Sequence, residues 1–99
     1  MNEMTGTEMV KARRDEILAI AHRHGAYHVR IFGSAARGEA AADSDIDILV
    51  AMEPGRSLLD VVDLGDELQE LLRRKVDVLT EGGLSPYLRD RINAEAVAL

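Results

Sequence analysis

The chain has no cysteine and no tryptophan, and only one phenylalanine and two tyrosines. Without cysteine there is no disulfide, no thiolate zinc centre and no cysteine nucleophile, a usage that suits a reducing compartment. With aromatics at 3%, a core has to be built from Ile, Leu, Val and Ala. No apolar run approaches the roughly 20 residues that a membrane-spanning helix needs. The first residues, Met1 to Thr7, lack the basic and apolar segments of a secretory signal. A soluble, cytoplasmic protein is expected. A positive excess is missing too: 12 Lys and Arg stand against 18 Asp and Glu, a net charge of −6. Proteins that grip nucleic acid by its backbone usually present a basic face. The arginines here are scattered along the chain, so an extended nucleic-acid partner is disfavoured, and a protein or small-molecule acceptor fits better.

What is present is a chain of 99 residues, 46% of them apolar. That length is expected to form a single domain over 1–99, burying roughly two-thirds of its unfolded surface without covalent staples. Apolar spacing predicts a first helix over about 8–24, with Val10, Ile17, Leu18 and Ala21 on one face, Thr7 as its cap and Gly25 at its end. Tyr27 to Phe32 reads as a strand with Val29 and Ile31 facing one way. After the Gly33-Ser34 turn, Ala35-Ala36-Arg37 reads as a short helical turn ended by Gly38. Asp45 to Ala51 is the clearest strand: Ile46, Ile48 and Val50 face one side, Asp45, Asp47 and Leu49 the other. Ser57, with Asp60 three positions on, caps a helix to about Arg73 whose apolar face is Leu58, Val61, Leu64, Leu68, Leu71 and Leu72. Lys75 to Thr80 is a third strand. Ser85-Pro86 opens a last helix to about Ala94, and residues 96–99 suit either helix or a short edge strand. The order predicts an α/β protein of the α+β two-layer sandwich type: a small mixed sheet with helices on one face and the face bearing Asp45, Asp47 and Asp77 partly open.

Chemistry concentrates between residues 33 and 47. Aspartate is a poor strand residue, and two on one strand face repel each other. A cation between Asp45 and Asp47 would offset that cost, and Mg²⁺ is commonly held by one or two carboxylates plus substrate phosphates. Asp77, on a neighbouring strand, would add a third carboxylate to the same face. Three such groups can hold metals on a triphosphate and on an attacking hydroxyl. The alternative is a solvated polar sheet face. Gly33 and Ser34, after a strand and before a helical turn, offer N–H groups and a hydroxyl to a phosphate; the alternative is a plain capped turn. Arg37 could reach a triphosphate or pair with Glu39 or Asp43. His22, His24 and His28 show no ligand-like spacing and read as structural.

Gly33-Ser34-Ala35-Ala36-Arg37-Gly38, then Ser44-Asp45-Ile46-Asp47-Ile48-Leu49-Val50, then Val76-Asp77-Val78 closely resemble the minimal nucleotidyltransferases (MNT proteins) of the DNA polymerase β-like superfamily, over essentially the whole chain. The resemblance implies a polymerase β-like nucleotidyltransferase fold. It implies that Gly33 and Ser34 bind the nucleotide's β- and γ-phosphates with Arg37 in support. It also implies that Asp45, Asp47 and Asp77 bind Mg²⁺ and carry catalysis, Asp77 helping to activate the acceptor. Members of the family are commonly antitoxins paired with a HEPN-domain toxin, usually an RNase, which they neutralise by moving AMP from ATP to a toxin tyrosine or by forming a stable complex. The resemblance therefore implies a protein adenylyltransferase acting as antitoxin, alone or as a homo- or hetero-oligomer. Two alternatives stay open: neutralisation by occlusion without catalysis, and nucleotidyl transfer to an RNA 3′ end or to a small molecule such as an aminoglycoside.

Overall fold

A computed structural model of the chain describes residues 6–33 and 45–99. The elements run α1 (Gly6–Ala12), α2 (Arg14–Arg23), β1 (Ala26–Phe32), β2 (Ile46–Met52), α3 (Leu58–Leu72), β3 (Val76–Thr80), a 3-10 turn over Glu81–Gly83, α4 (Pro86–Glu95) and β4 (Val97–Ala98). The sheet order is β3-β2-β1-β4. β1 is antiparallel to β2 and to β4. β2 is parallel to β3, because the helical crossover through α3 carries the chain back to the same end of the sheet. The mixed sheet follows from these two kinds of connection.

Val10, Ile17 and Ala21 from α1 and α2, Leu64, Leu68 and Leu72 from α3, and Val29, Ile31, Ile46, Ile48, Val50 and Val76 from the sheet close one aliphatic core. The alternation in β2 is as the sequence predicts: Ile46, Ile48 and Val50 are fully buried on the helix side. Ser57 caps α3 by donating its N–H to the Asp60 carboxylate at 2.8 Å. That hydrogen bond holds Asp60 below the ordinary carboxylate range.

Three features depart from the sequence reading, and one open alternative is resolved. The first helix is bent, with Arg13 (φ −107, ψ 18) between α1 and α2. Bonds from Arg13 N–H to Met9 O (3.0 Å) and from Ile17 N–H to Arg13 O (2.9 Å) carry the ladder across the bend, and no Pro or Gly marks it. α1 starts at Gly6, so Thr7 lies inside the helix and not at its cap. Leu58, expected on the buried face of α3, is 76% exposed. Fifteen helical residues span about 22 Å, whereas the five of β3 span about 17 Å, so the first turn of α3 overhangs the core. Finally, residues 97–98 are a short edge strand, with Val97 opposite Ile31 and Ala98 opposite Arg30.

Among the described residues the second sheet face is partly covered. Leu49 is fully buried there, and its cross-strand partner Arg30 is only 8% exposed. Arg30 donates to His28 O at 3.2 Å and to Asn93 Oδ1 of α4 at 2.8 Å. Its Nη2 lies 2.8 Å from Glu81 Oε2, so one guanidinium ties β1 to the 3-10 turn and to α4. His28, at φ +52, forms the irregularity in β1 that shifts its register between Tyr27 and Arg30. Glu81 is far more exposed than Arg30. Loss of the carboxylate therefore strands a buried cation, whereas loss of the guanidinium leaves an anion that water can reach. Glu81→Ala is expected to cost about 1–3 kcal/mol in urea unfolding and Arg30→Met less; equal costs would contradict this asymmetry.

Candidate active site

Strand pairing builds the site. Asp47, the second residue of β2, lies opposite Phe32 on β1 and opposite Asp77 on β3. Parallel register thus sets two aspartates side by side on one face, and Asp45 precedes β2 by one residue. Asp47 is half-buried; Asp45 and Asp77 are exposed. Burial, the Asp77 charge and the Asp45 charge together push the Asp47 carboxyl above the ordinary carboxylate range. Lys75 Nζ stands 4.0 Å from Asp45 Oδ2, a distant and exposed pair that contributes little.

Gly33 ends β1 at φ +69, and a Cβ built there would lie 2.6 Å from Asp47 Oδ2. Conformation and close approach both require glycine at this position. The turn and the carboxylate are therefore packed against each other, and the two halves of the sequence motif meet in space. Ser34, Arg37, Asp43 and Ser44, together with the expected helical turn over 35–37, lie outside the described residues. Lys75 was not singled out in the sequence; its place one residue before β3 becomes meaningful only once β3 pairs with β2. Gln69, also unflagged, accepts the Val76 N–H at 3.1 Å and fixes the start of β3. His24 Nε2 lies 2.8 Å from Glu67 Oε1, and His28 Nδ1 lies 3.5 Å from Glu81, in keeping with structural roles.

Among the described residues no three His, Cys, Asp or Glu side chains form a cage able to hold a metal alone. The donor set nonetheless fits Mg²⁺, which takes one or two carboxylates and completes its shell with water and phosphate oxygens. Asp45, Asp47 and Asp77 could supply such oxygens, and the crowding at Asp47 is what a cation would relieve.

The crowding has a stability consequence. The folded-state pKa of Asp47 is raised, so its ionisation opposes folding above that pKa, and this penalty vanishes below the unfolded-state pKa. In metal-free buffer Asp47→Asn is expected to raise stability at neutral pH by about 1 kcal/mol or less, because solvent screens these carboxylates. The gain should disappear as pH falls through the carboxylate range. Thermal melts across pH with a chelator check this, and a gain that persists in acid would refute it.

The chain matches the family model described as a nucleotidyltransferase domain over residues 15–99. It is 51% identical over 82 residues to a chain of Methanocaldococcus jannaschii provisionally named a protein adenylyltransferase, covering 83% of this chain and 88% of that one. It is 37% identical over 78 residues to the protein adenylyltransferase MntA of Thermococcus cleftensis, covering 79% of each. A solved structure provisionally described as a minimal nucleotidyltransferase superposes with a TM-score of 0.88 at 48% identity, covering 100% of both chains. An MNT antitoxin in complex with a tri-AMPylated HEPN toxin of Shewanella oneidensis shares the fold, with a TM-score of 0.69 at 18% identity over 89% of this chain and 69% of that one. Among the described residues no helix is long and apolar enough to cross a membrane. A family model spanning most of the chain, a relative half identical to it and a full-length structural match together show that the chain belongs to the nucleotidyltransferase domain family.

Proposed function

We propose that this chain, as a single cytoplasmic domain, transfers AMP from ATP to a hydroxyl of a partner HEPN-domain toxin, with Mg²⁺, and thereby acts as its antitoxin. The observation that carries the site assignment is the Asp47 carboxyl, crowded by Asp77 and Asp45 on one sheet face and pressed against Gly33. The protein acceptor is supported by relatives named protein adenylyltransferases. The kind of partner is supported by the MNT antitoxin whose HEPN toxin partner is AMPylated.

Asp45 and Asp47 would hold the cation, and bound there it would neutralise charge developing on the triphosphate. Gly33 presents the turn on which the β- and γ-phosphates would rest, with Ser34 and Arg37 completing the grip. The acceptor oxygen, a tyrosine hydroxyl in this reading, forms a bond to the α-phosphorus while the bond to pyrophosphate breaks in line. The hydroxyl proton leaves to a carboxylate, and Asp77, at the sheet edge beside Asp47, stands where it can take it.

Exposed Leu58, Leu59 and Val62 on α3 favour a second contribution, neutralisation by stable complex formation. Intact mass spectrometry of the partner toxin, incubated with this protein, ATP and Mg²⁺, separates the two. The wild type is expected to add one or more AMP units, and Asp45→Asn with Asp47→Asn to slow the addition by about 10²-fold or more. Unchanged addition by the double variant would overturn the site assignment. Neutralisation by that variant as complete as by wild type would show that occlusion is enough.

A further inference from the structure

The far edge of the sheet holds a groove beside the candidate active site. Among the described residues β3 has a strand neighbour on one side only, since it is the end member of the order β3-β2-β1-β4. Its outward N–H at Val76 is satisfied by the Gln69 side chain at 3.1 Å. Side chains and outward backbone groups repeat every second residue, so Val78 presents its N–H and C=O to that same open edge. α3 overhangs the edge, and between helix and strand lies a hollow of about 300 Å³ lined by Leu58, Val62, Gly65, Asp66, Gln69 and Asp77, among others. Leu58 and Val62 are 76% and 49% exposed there.

Gly65 supplies an independent observation. Glycine inside a helix costs stability relative to alanine, and packing does not demand it here. A Cβ at Gly65 would meet only Val78 Cγ2, at 3.7 Å, an ordinary contact. What a side chain would do is fill the groove, so the position leaves room for something to enter.

We infer that this groove docks an extended, basic and apolar segment of the acceptor protein, pairing it with the β3 edge and leading its hydroxyl to Asp77; the inference rests on the proposed protein acceptor. Three observations fix the occupant. An exposed strand edge beside an apolar groove suits an added strand, with main-chain bonds for affinity and alternate side chains for specificity. The described residues along the groove include Asp66 and Asp77 and neither Lys nor Arg, which favours Lys or Arg on the incoming segment. A second copy of this chain, of net charge −6, would set the same acidic rim against itself. A strand added at β3 would also set alternate side chains on the sheet face that carries Asp77 and Asp47.

The test is titration of the partner toxin into this protein without nucleotide, followed by transfer kinetics. Val62→Lys is expected to weaken toxin binding roughly tenfold or more and to raise KM for the toxin, with KM for ATP unchanged. Gly65→Ala is expected to raise Tm while weakening toxin binding, a combination that no purely structural role produces. In wild type, hydrogen exchange at the Val78 amide should slow when the toxin is bound. Unaltered toxin affinity in both variants, or a Val78 amide equally exposed in the complex, would overturn the docking proposal. A toxin that binds through the groove but gains no AMP would leave docking intact and remove the transfer reading. A toxin that does not bind wild type at all would remove both.

Discussion

Three carboxylates gathered on one sheet face are the constraint around which this small protein is arranged. Parallel pairing of β2 with β3 sets Asp47 beside Asp77, and Asp45 lies one residue before β2. Left alone, that arrangement opposes folding: burial and two like charges raise the Asp47 carboxyl above its ordinary range. The aliphatic core on the opposite face offsets the repulsion. Ile46 and Ile48, the residues flanking Asp47, are fully buried, so the strand that presents the acids is also the strand most firmly anchored. Stability and chemistry are divided between the two faces of one strand.

The division extends to the neighbouring elements. Gly33 has to be glycine both because its backbone sits in the left-handed region and because Asp47 occupies the space of its Cβ. Arg30, two positions before the Phe32 that pairs with Asp47, is buried beside the 3-10 turn and α4, where Glu81 and Asn93 meet its guanidinium. One end of the second face is therefore closed by a charged tie, and at the other Asp45 and Asp77 are exposed. In a chain with so few aromatic residues, this tie does work that a large aromatic side chain could do elsewhere.

Much of this was legible in the sequence because it is local. Alternation in Asp45 to Val50 placed the acids and the core residues on opposite faces before any pairing was known. The cap at Ser57 and Asp60 and the Pro at the start of α4 marked their helices for equally local reasons. What could not be read depends on partners distant in the chain. The register that sets Asp47 opposite Asp77 is a property of two strands separated by a helix. Arg30 looks like any surface arginine until Glu81 and Asn93 close over it, and β4 is a two-residue strand that exists only through β1. Leu58 kept the helical spacing of a core residue, but α3 outruns β3, so its first turn has no sheet to cover. The bend at Arg13 carries no Pro or Gly, and local pattern gives no reason to expect it.

The central claim, that the acidic cluster exists to receive a cation together with a nucleotide, is tested most directly by following the Asp47 carboxyl resonance through a pH titration by NMR. Without ligand, the account predicts a midpoint above the ordinary carboxylate range. With Mg²⁺ and a non-hydrolysable ATP analogue, it predicts a midpoint moved well below that range, because the cation then favours the charged form. A midpoint that stays raised in the presence of both would mean that the carboxylates do not bind the metal, and the account of the site would fail.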